Sequence, residues 1–201
     1  MPVTPPQNNS VMIMRILAIN GSPRKDGNTA KLLKEITKDH VDVDLDHFDL
    51  NDLKIRDCQA CYFCKKNDAC AVKDDMQQLY RKLREADAIV LGAPVYFGVE
   101  SANTRIFIDR LYALLAFGDG PGKYVPRLKG DKLAISFVSC GNGKGKEIYT
   151  NIKDRQFTMW ANLGFKKVRT YVIAGATPQG NILELVDAQN MVRECQELLD
   201  Q

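Results

Sequence analysis

Four of this chain's six cysteines fall inside one stretch, CQACYFCKKNDAC, as Cys58, Cys61, Cys64 and Cys70. The spacing C-x2-C-x2-C-x5-C places three thiolates around one short loop, which suits a cubane iron–sulfur cluster whose irons sit close together. Zinc fits less well, because zinc sites more often use two separated knuckles and only His40 and His47 could supply imidazole. No proline follows Cys70 as in bacterial ferredoxins, so the site is not a transplanted ferredoxin loop. Without a metal, the same cysteines read as small buried hydrophobes or reversible thiols. In a reducing cytosol such a group serves as metal ligands or redox groups more often than as disulfides.

Three other stretches carry residue types suited to binding. In NGSPRKDGNT (20–29) the glycines permit tight turns, Ser22 and Thr29 offer hydroxyls, Arg24 offers a charge, and a helix starting at Asn28 presents free N–H groups. These are the parts of a phosphate cradle, with a plain strand-to-helix turn as the competing reading. The loop is not a Walker A motif, since Asn28 stands where lysine is needed, and it does not spell G-x-G-x-x-G. In APVYFGVES (93–101), Pro94 stiffens a strand exit, Gly98 lets the backbone turn, and Tyr96 and Phe97 offer either a wall for a flat ring or lid packing. In SCGNGKG (139–145) the glycines either admit a planar ligand close to the main chain or form a surface loop. Cys140 reads there as a packing residue, and Cys195 as filler in the last helix.

The elements that must position these loops alternate. Apolar runs at 14–20, 86–94, 132–140 and 168–175, with the strictly alternating VDVDLDHF (41–48), predict five strands, the last of these half-exposed at or near a sheet edge. Helical patterns lie at 28–38, 74–86, 101–115, 146–162 and 184–199, with Asp74 and Asp75 suited to a helix start. Strands alternating with helices imply right-handed crossovers and a parallel sheet covered on both faces, which binds ligands outside the carboxyl ends of its strands. All three loops are expected there.

With 201 residues the chain fits one domain over 14–201, preceded by a loose, proline-rich tail at 1–13. A net charge of +3 with scattered lysines argues against nucleic acid. No apolar run reaches the roughly 18 residues of a membrane span, and the start lacks the order of a signal peptide, so a cytoplasmic protein is expected.

ILAINGSPRKDGNT, ADAIVLGAPVYFG and FIDR, in that order, resemble the flavodoxin-like NADPH-dependent FMN reductase family. The resemblance implies a three-layer sandwich with a five-stranded sheet of order 2-1-3-4-5. It also implies FMN at the sheet edge, with Ser22, Arg24, Asn28 and Thr29 at the phosphate. Pro94, Val95, Tyr96, Phe97 and Gly98, with Ser139, Cys140, Gly141 and Asn142, would surround the isoalloxazine. The cysteine loop and the Asp-Asp-Met after it are similar to the iron–sulfur flavoprotein branch, which implies a [4Fe–4S] cluster on Cys58, Cys61, Cys64 and Cys70. The protein is then expected to pass electrons between FMN and the cluster, with a small-molecule acceptor or a ferredoxin-like partner. An NAD(P)H-dependent FMN or quinone reductase without a cluster and a non-redox protein with a structural zinc loop are the alternatives. No acid–base side chain is required of the protein, since the cofactor carries the chemistry. Because the cysteine loop follows an edge strand, a homodimer or homotetramer is expected, with the cluster approaching a neighbour's FMN. The helix at 101–115 is a candidate interface, with ordinary core packing as the alternative.

Overall fold

A computed structural model describes residues 13–177 and 180–201. The expected tail lies outside the described residues except for Ile13.

Five parallel strands form the sheet: β1 (Met14–Asn20), β2 (Val43–Asp49), β3 (Ala88–Tyr96), β4 (Leu133–Ser139) and β5 (Lys167–Ile173), in the order β2-β1-β3-β4-β5. β2 is the edge strand and is half-exposed, as expected, although Leu45 is itself exposed and Val41 lies before the strand, also exposed. β4, flanked on both sides, is buried throughout, and β3 is buried from Ala88 to Pro94. The helices are α1 (Asn28–Thr37), α2 (Met76–Glu85), α3 (Ala102–Arg110), α4 (Thr150–Asn162) and α5 (Val186–Leu199).

Successive strand residues point to opposite faces, and the core divides accordingly. Ile16, Ala18, Val90 and Ile135 pack with Leu32, Leu33 and Ile36 of α1 and Met191 and Cys195 of α5. Leu17, Ile19, Ile89 and Leu91 pack with Leu79 and Leu83 of α2, Phe107 of α3 and Trp160 of α4. Among the described residues no helix is long and apolar enough to cross a membrane.

Three expectations need correction. The helix over 101–115 ends at Arg110, tightens into a 3-10 turn at Leu111–Leu114 and leads into an antiparallel hairpin of Leu115–Phe117 with Tyr124–Pro126. Phe107, Leu111 and Leu114 are buried in the core, so the apolar face of that segment is core packing. The helix over 146–162 is interrupted at Tyr149, after a short turn at Gly145–Ile148. That turn lies against Cys140, so closely that a Cβ on Gly145 would run into Cys140 Sγ. Third, β3 does not stop at Pro94: Val95 and Tyr96 pair with Glu100 and Val99 across a two-residue turn.

Candidate functional site

The carboxyl ends of β1, β3 and β4 bring the three loops together. Gly21 N donates to Gly92 O at 2.8 Å, and a Cβ at Gly21 would collide with Thr104 Oγ1 and lie 3.0 Å from Gly92 O, so this close approach demands glycine. Ser101 Oγ donates to Gly21 O at 2.6 Å and meets Thr104 Oγ1 at 2.9 Å. Asn20, fully buried, anchors the loop from below: its Nδ2 donates to Asp49 Oδ1 at 2.7 Å and its Oδ1 accepts Ser22 N at 3.0 Å.

Ser22 and Thr29 are buried, and Thr29 Oγ1 meets Ser139 Oγ at 2.9 Å, joining the first loop to the third. The Asn28 side-chain amide donates to Ala176 O and Thr177 O at 3.3 and 3.1 Å, bracing the chain after β5. Gly27 caps α1 without a side-chain bond, and the first return bond is Lys31 N to Gly27 O. The earlier first-turn N–H groups therefore face outward, and exposed Arg24 lies beside them. A phosphate fits this set of hydroxyls, amides and one guanidinium.

Pro94 is buried, Val95 half-buried, and Tyr96 and Phe97 are exposed, Phe97 completely. Phe97 and Gly98 have φ of 54° and 85°, which defines a tight hairpin turn with both central residues left-handed. The strand pairing thus lifts an aromatic ring clear of the fold. Gly141 and Asn142 are exposed, and Asn142 Oδ1 accepts Lys144 N at 3.0 Å. Cys140 is buried, its thiol pushed up by burial, and it packs as expected.

The cysteines form a second locus. Cys58, Cys61, Cys64 and Cys70 line one small depression together with Arg110 and Tyr112. Ala60 and Tyr62, on either side of Cys61, have φ of 47° and 55°, a conformation that costs residues with a Cβ about 1–2 kcal/mol. Lys65 holds the loop down: its buried ammonium donates to Tyr112 O at 2.6 Å and Leu115 O at 2.7 Å and lies 3.3 Å from the centre of the Tyr112 ring. Burial lowers the Lys65 pKa. Burial raises that of the Cys64 thiol, with Lys65 opposing.

Asp74 and Asp75 do more than start α2. Asp74 Oδ1 accepts Met76 N, but Asp74 Oδ2 and Asp75 Oδ2 accept Arg56 N at 2.9 Å and Lys54 N at 2.7 Å, fixing the chain that enters the cysteine loop. Asp74 also clamps the buried Arg110 guanidinium at 2.7 and 3.1 Å, and Arg110 Nη2 donates to Cys70 Sγ at 3.5 Å. Lys65, Arg110 and Asn20 were not legible as site residues, although FIDR contains Arg110 and the polar Asn20 ends an apolar run.

The thiolate donors and this buried cation fit an anionic, sulfur-ligated centre. As folded, no three Cys, His, Asp or Glu side chains among the described residues are gathered tightly enough to hold one metal ion.

The NADPH-dependent FMN reductase family model matches residues 14–178. An iron–sulfur flavoprotein of Archaeoglobus fulgidus is 35% identical over 139 residues, covering 67% of this chain and 59% of that protein. One of Methanocaldococcus jannaschii is 36% identical over 99 residues, covering 48% and 51%. The chain thus spans between half and three fifths of these relatives' lengths. An NAD(P)H:quinone oxidoreductase from Methanothermobacter marburgensis shares the fold with a TM-score of 0.70 over 94% of this chain and 98% of its own, at 13% identity. An azoreductase from Bacillus anthracis does so with a TM-score of 0.67 over 93% and 99%, at 16% identity. The chain belongs to the NADPH-dependent FMN reductase family, in the branch of the iron–sulfur flavoproteins.

Proposed function

We propose that residues 14–201 form one FMN-binding oxidoreductase domain that exchanges electrons between FMN at the carboxyl edge of the sheet and a [4Fe–4S] cluster on Cys58, Cys61, Cys64 and Cys70. The observation that carries this reading is that the chain builds both loci at once: a buried-hydroxyl cradle at the N-terminus of α1, and four thiols around one depression. FMN, when bound, accepts a hydride and releases electrons singly.

The chain's own residues bind and orient. Ser22 and Thr29 donate to the phosphate. Thr29 can do so while accepting from Ser139, because a hydroxyl has one donor and two acceptor positions. Asn28 contributes its backbone N–H, its amide being engaged elsewhere, and Arg24 supplies the neutralising charge. Tyr96 and Phe97 cover one face of the ring system, and residues 139–142 border its edge.

An apolar cleft of about 490 Å³ beside Cys58, walled by Ile108, Leu111, Met159 and Leu163, offers a small acceptor access to the cysteine site. NAD(P)H as donor, a ferredoxin-like partner, a homodimer or homotetramer and a cytoplasmic location belong to the same reading. A monomer by light scattering removes the oligomer from it.

A second reading, an NAD(P)H-dependent FMN or quinone reductase without a cluster, draws support from the NADPH-dependent FMN reductase family model, which spans residues 14–178. The deciding experiment is the visible spectrum of anaerobically purified protein, with iron and acid-labile sulfide counted per FMN. About four irons per FMN, as a Cys₄ cubane requires, support the two-centre reading. Flavin alone supports the simpler reductase, and zinc without flavin overturns both.

A further inference from the structure

Among the described residues, Arg110 is the most deeply buried lysine or arginine. Its side chain is 1% exposed, and Nη1 donates to Arg56 O and Asp74 Oδ2, both at 2.7 Å. Nη2 divides its hydrogens between Asp74 Oδ1 and Cys70 Sγ. Nε remains buried with no partner. A buried guanidinium is normally neutralised and fully bonded, because an unpaired N–H removed from water carries a desolvation cost. Asp74 balances the charge, yet one N–H is directed to sulfur and another goes unused, in a side chain that borders the depression lined by the four cysteines.

We propose that Arg110 is a positioning residue for the cysteine centre. It is held rigid by Asp74 and Arg56 O so that its N–H groups and positive charge stabilise the reduced form of the cluster and raise its midpoint potential. This rests on the cluster reading of the four cysteines. One-electron reduction adds one negative charge to an already anionic thiolate-ligated cluster, and no bond to the protein forms or breaks. A fixed cation and N–H donors to sulfur favour the more negative state, and hydrogen bonds to the sulfurs are among the established determinants of such potentials. The clamp matters because a guanidinium that cannot turn away stabilises the added charge without reorganising.

The test is an anaerobic redox titration of the full chain, reconstituted with iron and sulfide. The cluster is followed by the EPR signal of its reduced state and the flavin by its visible absorbance. Arg110→Gln removes the charge, and the cluster midpoint is expected to move to more negative potential while that of the flavin stays in place. Arg110→Lys, which keeps the charge and loses the planar fork, is expected to move it the same way by less. FMN stoichiometry and the thermal midpoint report folding, and if Arg110→Gln does not fold, Arg110→Lys decides. Full iron content with an unchanged cluster midpoint overturns the role of Arg110 and leaves the cluster in place. Wild-type protein that takes up no iron overturns the cluster reading itself, and the role of Arg110 with it.

Discussion

Thr29 Oγ1 and Ser139 Oγ lie 2.9 Å apart, both buried, although 110 positions separate them in the chain. The bond ties the first turn of α1, in the proposed phosphate cradle, to the end of β4. Thr29→Val keeps the shape and removes the hydroxyl. A hydrogen bond contributes about 0.5–1.5 kcal/mol net, so FMN affinity is expected to fall roughly 2- to 12-fold. Fluorescence titration of the apoprotein with FMN measures it, and an unchanged affinity excludes Thr29 from the site.

Gly21→Ala introduces a methyl that meets Thr104 Oγ1 and the Gly92 carbonyl. Thr104 is fully buried and Gly92 O is backbone, so neither gives way easily. A loss of about 1–3 kcal/mol in urea unfolding is expected, the usual range for overpacking.

Phe97 stands fully exposed with φ of 54°. Phe97→Gly relieves a left-handed conformation and is expected to stabilise the fold by about 1 kcal/mol. The same change removes the ring proposed to cover the flavin, so FMN is expected to bind less tightly. Stability and affinity moving in opposite directions is the signature to look for.

Asp74 makes stability depend on pH. Burial pushes its carboxyl up, but the Arg110 guanidinium and the backbone N–H groups of Arg56 and Met76 outweigh that and hold it below the usual carboxylate range. A carboxyl depressed on folding contributes stability that is present above its unfolded value, near about 4, and lost as pH falls through the folded value. Asp74→Asn should therefore destabilise by about 3 kcal/mol at neutral pH, since Arg110 is left buried without its counter-charge. The gap to wild type should close as the pH falls below about 4. Urea titrations of both proteins across that range provide the check; a gap that stays constant rules out the linkage.

Lys65 anchors the cysteine loop through two carbonyls and an aromatic ring. Lys65→Ala leaves Tyr112 O and Leu115 O without this donor and is expected to cost about 2–3 kcal/mol. It should also speed amide hydrogen exchange across the short helix Phe63–Lys66, which loses its tether.

By itself the sequence determined the elements and the inventory of chemistry. Continuous apolar runs marked the buried strands β3 and β4, and the alternation in 41–48 marked the edge strand. Burial on both faces writes itself directly into side-chain polarity. The cysteine spacing and the glycine, serine and threonine of the first loop were equally legible, being local. What the tertiary structure alone decided is who meets whom. Asp74 read as a helix start and Arg110 as one letter of FIDR, yet the tertiary fold joins the turn before α2 to the end of α3 in a clamp at Cys70. Asn28 read as a phosphate ligand; that its side-chain amide braces the chain beyond β5 is seen only in the fold. The breaks at Arg110 and Tyr149 and the hairpin after Leu114 escaped the helical period for the same reason. Propensity and period describe a residue's neighbours along the chain, whereas buried ion pairs, close glycine contacts and strand ends are settled by neighbours across it.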